Sequence, residues 1–142
     1  MKESEAYEGQ DGKFVSEFQD MVDNLLVRHK SILDCLTKYQ EATARVNRAI
    51  TKTVTLCGCV TINAGRQEFP AEMEGSLMEF AKHTNTHLEG KLCESCTEVI
   101  EEEIGNHLFY LAALCNLLNL DLKDVLNKEY NRLSTFGHFF LA

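Results

Sequence analysis

Cys57 and Cys59, in a Cys-Gly-Cys turn, and Cys93 and Cys96, in Cys-Glu-Ser-Cys, are two close pairs separated by 33 residues. Any fold that uses all four together must bring residue 57 back to residue 93, so the chain has to double over. Each pair can hold two corners of a tetrahedral thiolate site from one tight turn. Gly58 suits the first turn, because a backbone bending round an ion favours a residue without a Cβ. Zn²⁺ is the default ion for such a set, being redox-silent and satisfied by four sulfurs. An iron–sulfur cluster, two disulfides or four unmetallated thiols are the alternatives that the spacing leaves open. Cys35 and Cys115 lie outside the set on apolar stripes and read as small buried hydrophobes.

The compartment bears on that choice. A chain of 142 residues with one proline and no tryptophan is long enough for one domain with its own core. No stretch reaches the ~20 apolar residues of a membrane span, and no apolar signal segment opens the chain. The expectation is a cytoplasmic protein, in a reducing compartment where paired cysteines are metal ligands rather than disulfides. Residues 1–12 are acidic and polar and are expected to be a disordered N-terminus, leaving residues 13–142 as the folded unit.

Charge is unevenly spread. Residues 1–27 sum to −5 (2 basic against 7 acidic), residues 28–56 to +4 (6 against 2), and residues 57–142 to −7 (6 against 13). An acidic protein with a single basic helix is ill suited to nucleic acid, whose phosphates need a basic face. The basic segment is expected to neutralise acidic neighbours or anions inside its own fold.

The periodicity is helical nearly throughout. Phe14, Phe18, Met21, Val22, Leu25 and Leu26 recur at helical spacing, and so do Ile32, Leu33, Leu36, Tyr39, Val46, Ile50 and Val54. One uninterrupted helix over 14–56 would be about 64 Å long at 1.5 Å per residue. A break near His29–Ser31 is therefore expected, with Ser31 and Asp34 marking the new start. Gly58, Gly65, Pro70 and the β-branched Val60-Thr61-Ile62 make 57–71 a loop with a short extended piece. A short helix over 71–82 follows. His83 and His87, four apart, would share a helical face and suit a metal, although Asn85 and its flanking threonines interrupt that pattern. Residues 96–118 form the strongest helix, apolar on nearly all sides in its second half. A turn at Asn119-Leu120 precedes a helix capped by Asp121, with Leu122, Val125, Leu126 and Tyr130 expected to face inward. The tail, with Phe136, Phe139, Phe140 and Leu141, is expected to dock on the body or on a second subunit.

The segment Glu102-Glu103-Ile104-Gly105-Asn106, the run Leu108-Phe109-Tyr110-Leu111, and Leu120-Asp121-Leu122 leading to Tyr130-Asn131-Arg132 carry a resemblance. Residues 98–133 resemble the third and fourth helices of the MazG-like all-α nucleoside triphosphate pyrophosphohydrolases. The resemblance implies an all-α fold, a MazG-like antiparallel helical bundle interrupted here by an irregular cysteine-rich, metal-binding insert over 57–96. It implies a homodimer or higher homo-oligomer, a nucleotide ligand and, in active members, Mg²⁺-dependent cleavage of NTPs to NMP and pyrophosphate.

Hard oxygens on two facing helices hold Mg²⁺ against a triphosphate, and the ions polarise phosphoryl oxygens and activate water. The family pattern is Glu-Glu-x-x-Glu on one helix and Glu-x-x-Asp on the next. The second half falls on Glu102, Glu103 and Asn106, with an amide where the family has aspartate. The first half is missing. The matching stretch offers Glu41, then Arg45 and Arg48, either of which is expected to approach Glu102 and Glu103 and supply the positive charge. The resemblance thus implies either a non-catalytic, phosphate-binding relative with a structural zinc, or an altered enzyme working through Glu98, Glu102, Glu103, Asn106 and Glu41.

Overall fold

A computed structural model describes residues 2–71, 75 and 77–140, with backbone alone for 2–11, 77 and 138–140. The order is α1 (Lys2–Leu25), α2 (Ile32–Lys52), β1 (Val60–Ile62), α3 (Leu77–His83), β2 (Leu88–Gly90), α4 (Glu94–Leu117) and α5 (Leu122–Phe140). The chain is mostly helical, with one two-stranded sheet. Its first helix begins at Lys2, so residues 2–12, expected as a disordered tail, continue α1. No proline lies there to interrupt a helix.

The helical run does break where expected. Residues 26–31 separate α1 from α2, and Ser31 is the extended residue before α2. Ser31 does not cap through its side chain; instead the Asp34 carboxylate pairs with His29 Nδ1 at 2.6 Å.

Helices α2 and α4 run antiparallel. Tyr39 packs on His107 with ring centroids 4.7 Å apart, and Arg45 meets Glu103 further along. Cys35, Ala42 and Ala49, seven residues apart on α2, are all buried. Side chains this small at a seven-residue period let two helix backbones approach closely along a seam. Ala112 and Ala113 of α4 join Cys35 and Ala42 in one buried cluster that also holds Val22 and Leu26 from the α1 end.

The α4–α5 corner is locked by polar groups. Gln19, buried on α1, donates to Asn116 Oδ1 at 2.9 Å and to the Leu120 carbonyl at 2.8 Å, and accepts from the Leu122 backbone N–H at 2.8 Å. Asn119, at φ 56°, ends α4 with the Leu120 N–H bonded to the Cys115 carbonyl and its own N–H to the Asn116 carbonyl. This is the paired closure of a Schellman motif, with asparagine in the left-handed position.

The inward face expected for α5 needs correction. Leu122 is buried, but Val125, Leu126 and Tyr130 are exposed, since α5 packs chiefly along α1 and, among the described residues, that flank is left open. Phe136 is half exposed; Leu141 and the side chains of Phe139 and Phe140 lie outside the description. Cys35 and Cys115 are buried, as a hydrophobic role requires.

Candidate metal centre

The first cysteine turn is shaped by the end of α2. After Lys52 the helix widens to a π turn over Thr53–Cys57, and Gly58 closes it in the left-handed region at φ 76°. The carbonyl of Thr53 takes the Gly58 N–H at 2.8 Å and faces Cys59 Sγ at 3.9 Å. The wider turn swings Cys57 and Cys59 off the helix axis, and such bulges often mark functional sites. Val60, buried immediately afterwards, anchors the start of β1.

The second turn is the N-terminus of α4. Cys93 is the extended residue before the helix, and its sulfur accepts from the Cys96 backbone N–H at 3.4 Å. The two turns are joined by an antiparallel ribbon pairing Val60 with Gly90 and Ile62 with Leu88. Gly90 sits at φ 90°, and a Cβ there would lie 2.7 Å from the Cys59 carbonyl oxygen, so glycine is required.

Between them the four sulfurs lie within 4.8 Å of one another, a set able to hold a metal ion. Thiolates bonded tetrahedrally at ~2.3 Å have sulfur–sulfur edges of about 3.8 Å. Cys57 Sγ and Cys93 Sγ are 3.8 Å apart, so this edge of the cage has the length of that tetrahedron's. The Cys96 N–H beside the Cys93 sulfur, with the helix start behind it, lowers that thiol to about 7. Cys96 is pushed up to about 12, first by hydrogen bonding to Cys93. Thiols this close cannot all ionise without a cation among them.

The expected charged residues stand further along the α2–α4 seam. Arg45 Nε lies 3.1 Å from Glu103 Oε2, and Arg45 Nη1 lies 3.6 Å from Glu41 Oε1. Glu103 raises the Arg45 guanidinium above its ordinary value, while Lys38, 2.9 Å away, lowers the Glu41 carboxyl. Arg45 therefore bridges one carboxylate from each helix. Glu102, Asn106 and Arg48 are exposed, as are Glu98 and Glu101. Of the expected basic–acidic contacts, Arg45 with Glu103 is formed.

One feature had no counterpart in the sequence, and one expectation needs correction. Thr53, buried and carbonyl-aligned, shapes the first cysteine turn through its backbone, which no side-chain motif reports. His83 and His87 do not share a helical face. His83 ends α3 and His87 lies in a left-handed turn before β2, yet both line one cavity. The fold and centre define a helical protein with a four-cysteine cage at the base of a helical hairpin. Compared with known protein families, curated proteins and solved structures, the chain matches none.

Proposed function

We propose that this protein is a non-catalytic relative of the MazG-like pyrophosphohydrolases, held by a structural zinc and acting as a phosphate- or nucleotide-binding homodimer. The observation that carries the reading is the Arg45 bridge between Glu41 and Glu103. In an enzyme of that class, carboxylates on the facing helices would hold Mg²⁺. Here a guanidinium occupies the gap between two such carboxylates and supplies the charge they need, and Asn106 adds no charge. Zinc fits the cage because four thiolates complete its shell and leave no position for a water, which a catalytic zinc keeps open.

The test is metal content together with pyrophosphate release from a panel of NTPs with Mg²⁺ or Mn²⁺. One zinc per chain and no turnover is the expected result. Turnover lost in Glu103→Gln would overturn the reading and establish the alternative, an active Mg²⁺-dependent pyrophosphohydrolase. The observation favouring that alternative is the pair of carboxylates, Glu41 and Glu103, already gathered round one cation.

A further inference from the structure

A polar cavity of about 350 Å³ opens beyond the far end of the ribbon from the cysteine cage, between the segment after β1 and the segment joining α3 to β2. It is ordered by backbone and amide groups, with little apolar packing. Gln67 clamps Asn85 in both directions, donating to its carbonyl at 2.8 Å and accepting from its N–H at 2.9 Å. The Asn85 side chain in turn accepts the His87 N–H at 2.7 Å, and the His87 carbonyl takes the Asn63 N–H at 2.8 Å. These bonds hold His87 at φ 59°, a left-handed backbone that costs a side-chain-bearing residue free energy. Strain kept in place by a surrounding hydrogen-bond frame is a feature of ligand sites.

The groups left over at the wall decide the ligand. Gln67 has used both ends of its amide and Asn85 its carbonyl oxygen, which leaves the Asn85 NH₂ as a donor. The Arg66 guanidinium and the rings of His83 and His87 line the same cavity with no side-chain partner among the described residues. Glu68 is the charged acceptor. The two imidazoles belong to no group of three or more metal-ligating side chains among the described residues, where the cysteines are the one such group. A wall with a forked cationic donor, an amide donor and two imidazoles, and a carboxylate to take a hydroxyl, is complementary to a hydroxylated phosphate ester.

We infer that this cavity is a binding site for a small phosphate monoester, with Arg66, Asn85, His83 and His87 on the phosphate and Glu68 on a hydroxyl of the ester. The site is separate from the α2–α4 seam and stands whether or not the protein hydrolyses nucleotides. It depends on the ribbon, because Asn63 follows β1 and His87 precedes β2.

The experiment is an amide-shift NMR titration of the full-length, metal-loaded protein with glycerol 3-phosphate, with inorganic phosphate in parallel and sodium chloride matched for ionic strength. Saturable shifts at residues 63–68 and 83–88 are expected, with the ester binding there several-fold more tightly than inorganic phosphate. Arg66→Ala is expected to weaken binding about tenfold, the scale of one lost charge-assisted hydrogen bond. Arg45→Ala is expected to leave it unchanged, which separates this site from the one proposed on the seam. Shifts that track sodium chloride, or that fall on residues 28–56 instead, would overturn the site. Equal affinity for ester and inorganic phosphate would overturn the ester assignment.

Discussion

Gln19 shows how much one side chain can hold. Its amide bonds to Asn116, to the Leu120 carbonyl and to the Leu122 N–H, and Asn116 returns a bond to the Gln19 carbonyl at 3.0 Å. No apolar residue can answer those partners. Gln19→Leu is expected to lower stability by about 3 kcal/mol, since buried groups left unpaired cost about 1–3 kcal/mol each. Urea unfolding with an unchanged m-value would check it; a loss under ~0.5 kcal/mol, the range of ordinary surface substitutions, would show that water replaces the amide. His87 is the opposite case. His87→Gly is expected to raise stability by about 1 kcal/mol by removing left-handed strain, and to weaken phosphate-ester binding at the same time. A variant that gains stability and keeps full affinity would show that the imidazole is not part of the site.

At the scale of elements, the cage and the ribbon form one unit. The ribbon has three residues a side, and Val60 is its one buried strand residue. Two short strands alone are marginal in water, so the sulfur cage must supply much of the order. Ligating thiols have to lose their protons, and metal affinity therefore falls as pH falls. The sign follows from Cys93, which ionises at about 7, and from Cys96, held near 12 without metal. Above about 7 one proton less stands in the way of binding; below it every thiol competes. Cobalt charge-transfer absorbance is expected to fall steeply as pH drops from 8 to about 6, and the amide shifts of 60–62 and 88–90 to collapse with it. α2 and α4 should keep their helical circular dichroism through the same change, because their seam of Cys35, Ala42 and Ala49 does not need the ion. The cysteine spacing made this unit legible: two pairs and Gly58 already required a chain folded back on itself. The pinned loop was not legible, because the clamp joins the Gln67 side-chain amide to the Asn85 backbone 18 residues away with no periodic signature. Likewise, Asn85 and its threonines read as a break in a helix, and only the fold shows that the break presents His87 to a cavity.

The whole molecule exposes more surface than one compact chain should. Its accessible area is 11,426 Å². A folded monomer of 16.1 kDa is expected to expose about 7,400 Å². The difference, about 4,000 Å² for one chain, leaves ample surface for an interface of the roughly 2,000–5,000 Å², counted over both partners, that obligate assemblies bury. Its chemistry points the same way. Leu33, Leu36 and Ile50 on α2, Ile104 and Leu108 on α4, and Val125, Leu126 and Leu133 on α5 are all exposed by about two-fifths or more. The helical periodicity of these residues was legible in the sequence, but one chain has too few elements to cover every stripe. Among the described residues α5 lies along α1 with one flank open, and the α2–α4 hairpin carries exposed apolar residues on one side. A second copy would bring the same stripes and the same unmatched area, and a two-fold interface is self-complementary by construction. The expected mass by size-exclusion chromatography with light scattering is therefore a dimer's or larger at micromolar concentration. Leu36→Glu with Leu108→Glu should shift it to monomer and raise dye binding to exposed apolar surface, with the buried Ala42 and Ala112 layers untouched. A wild-type protein that runs as a stable monomer, with no dye binding, would mean that the open faces close on each other within one chain.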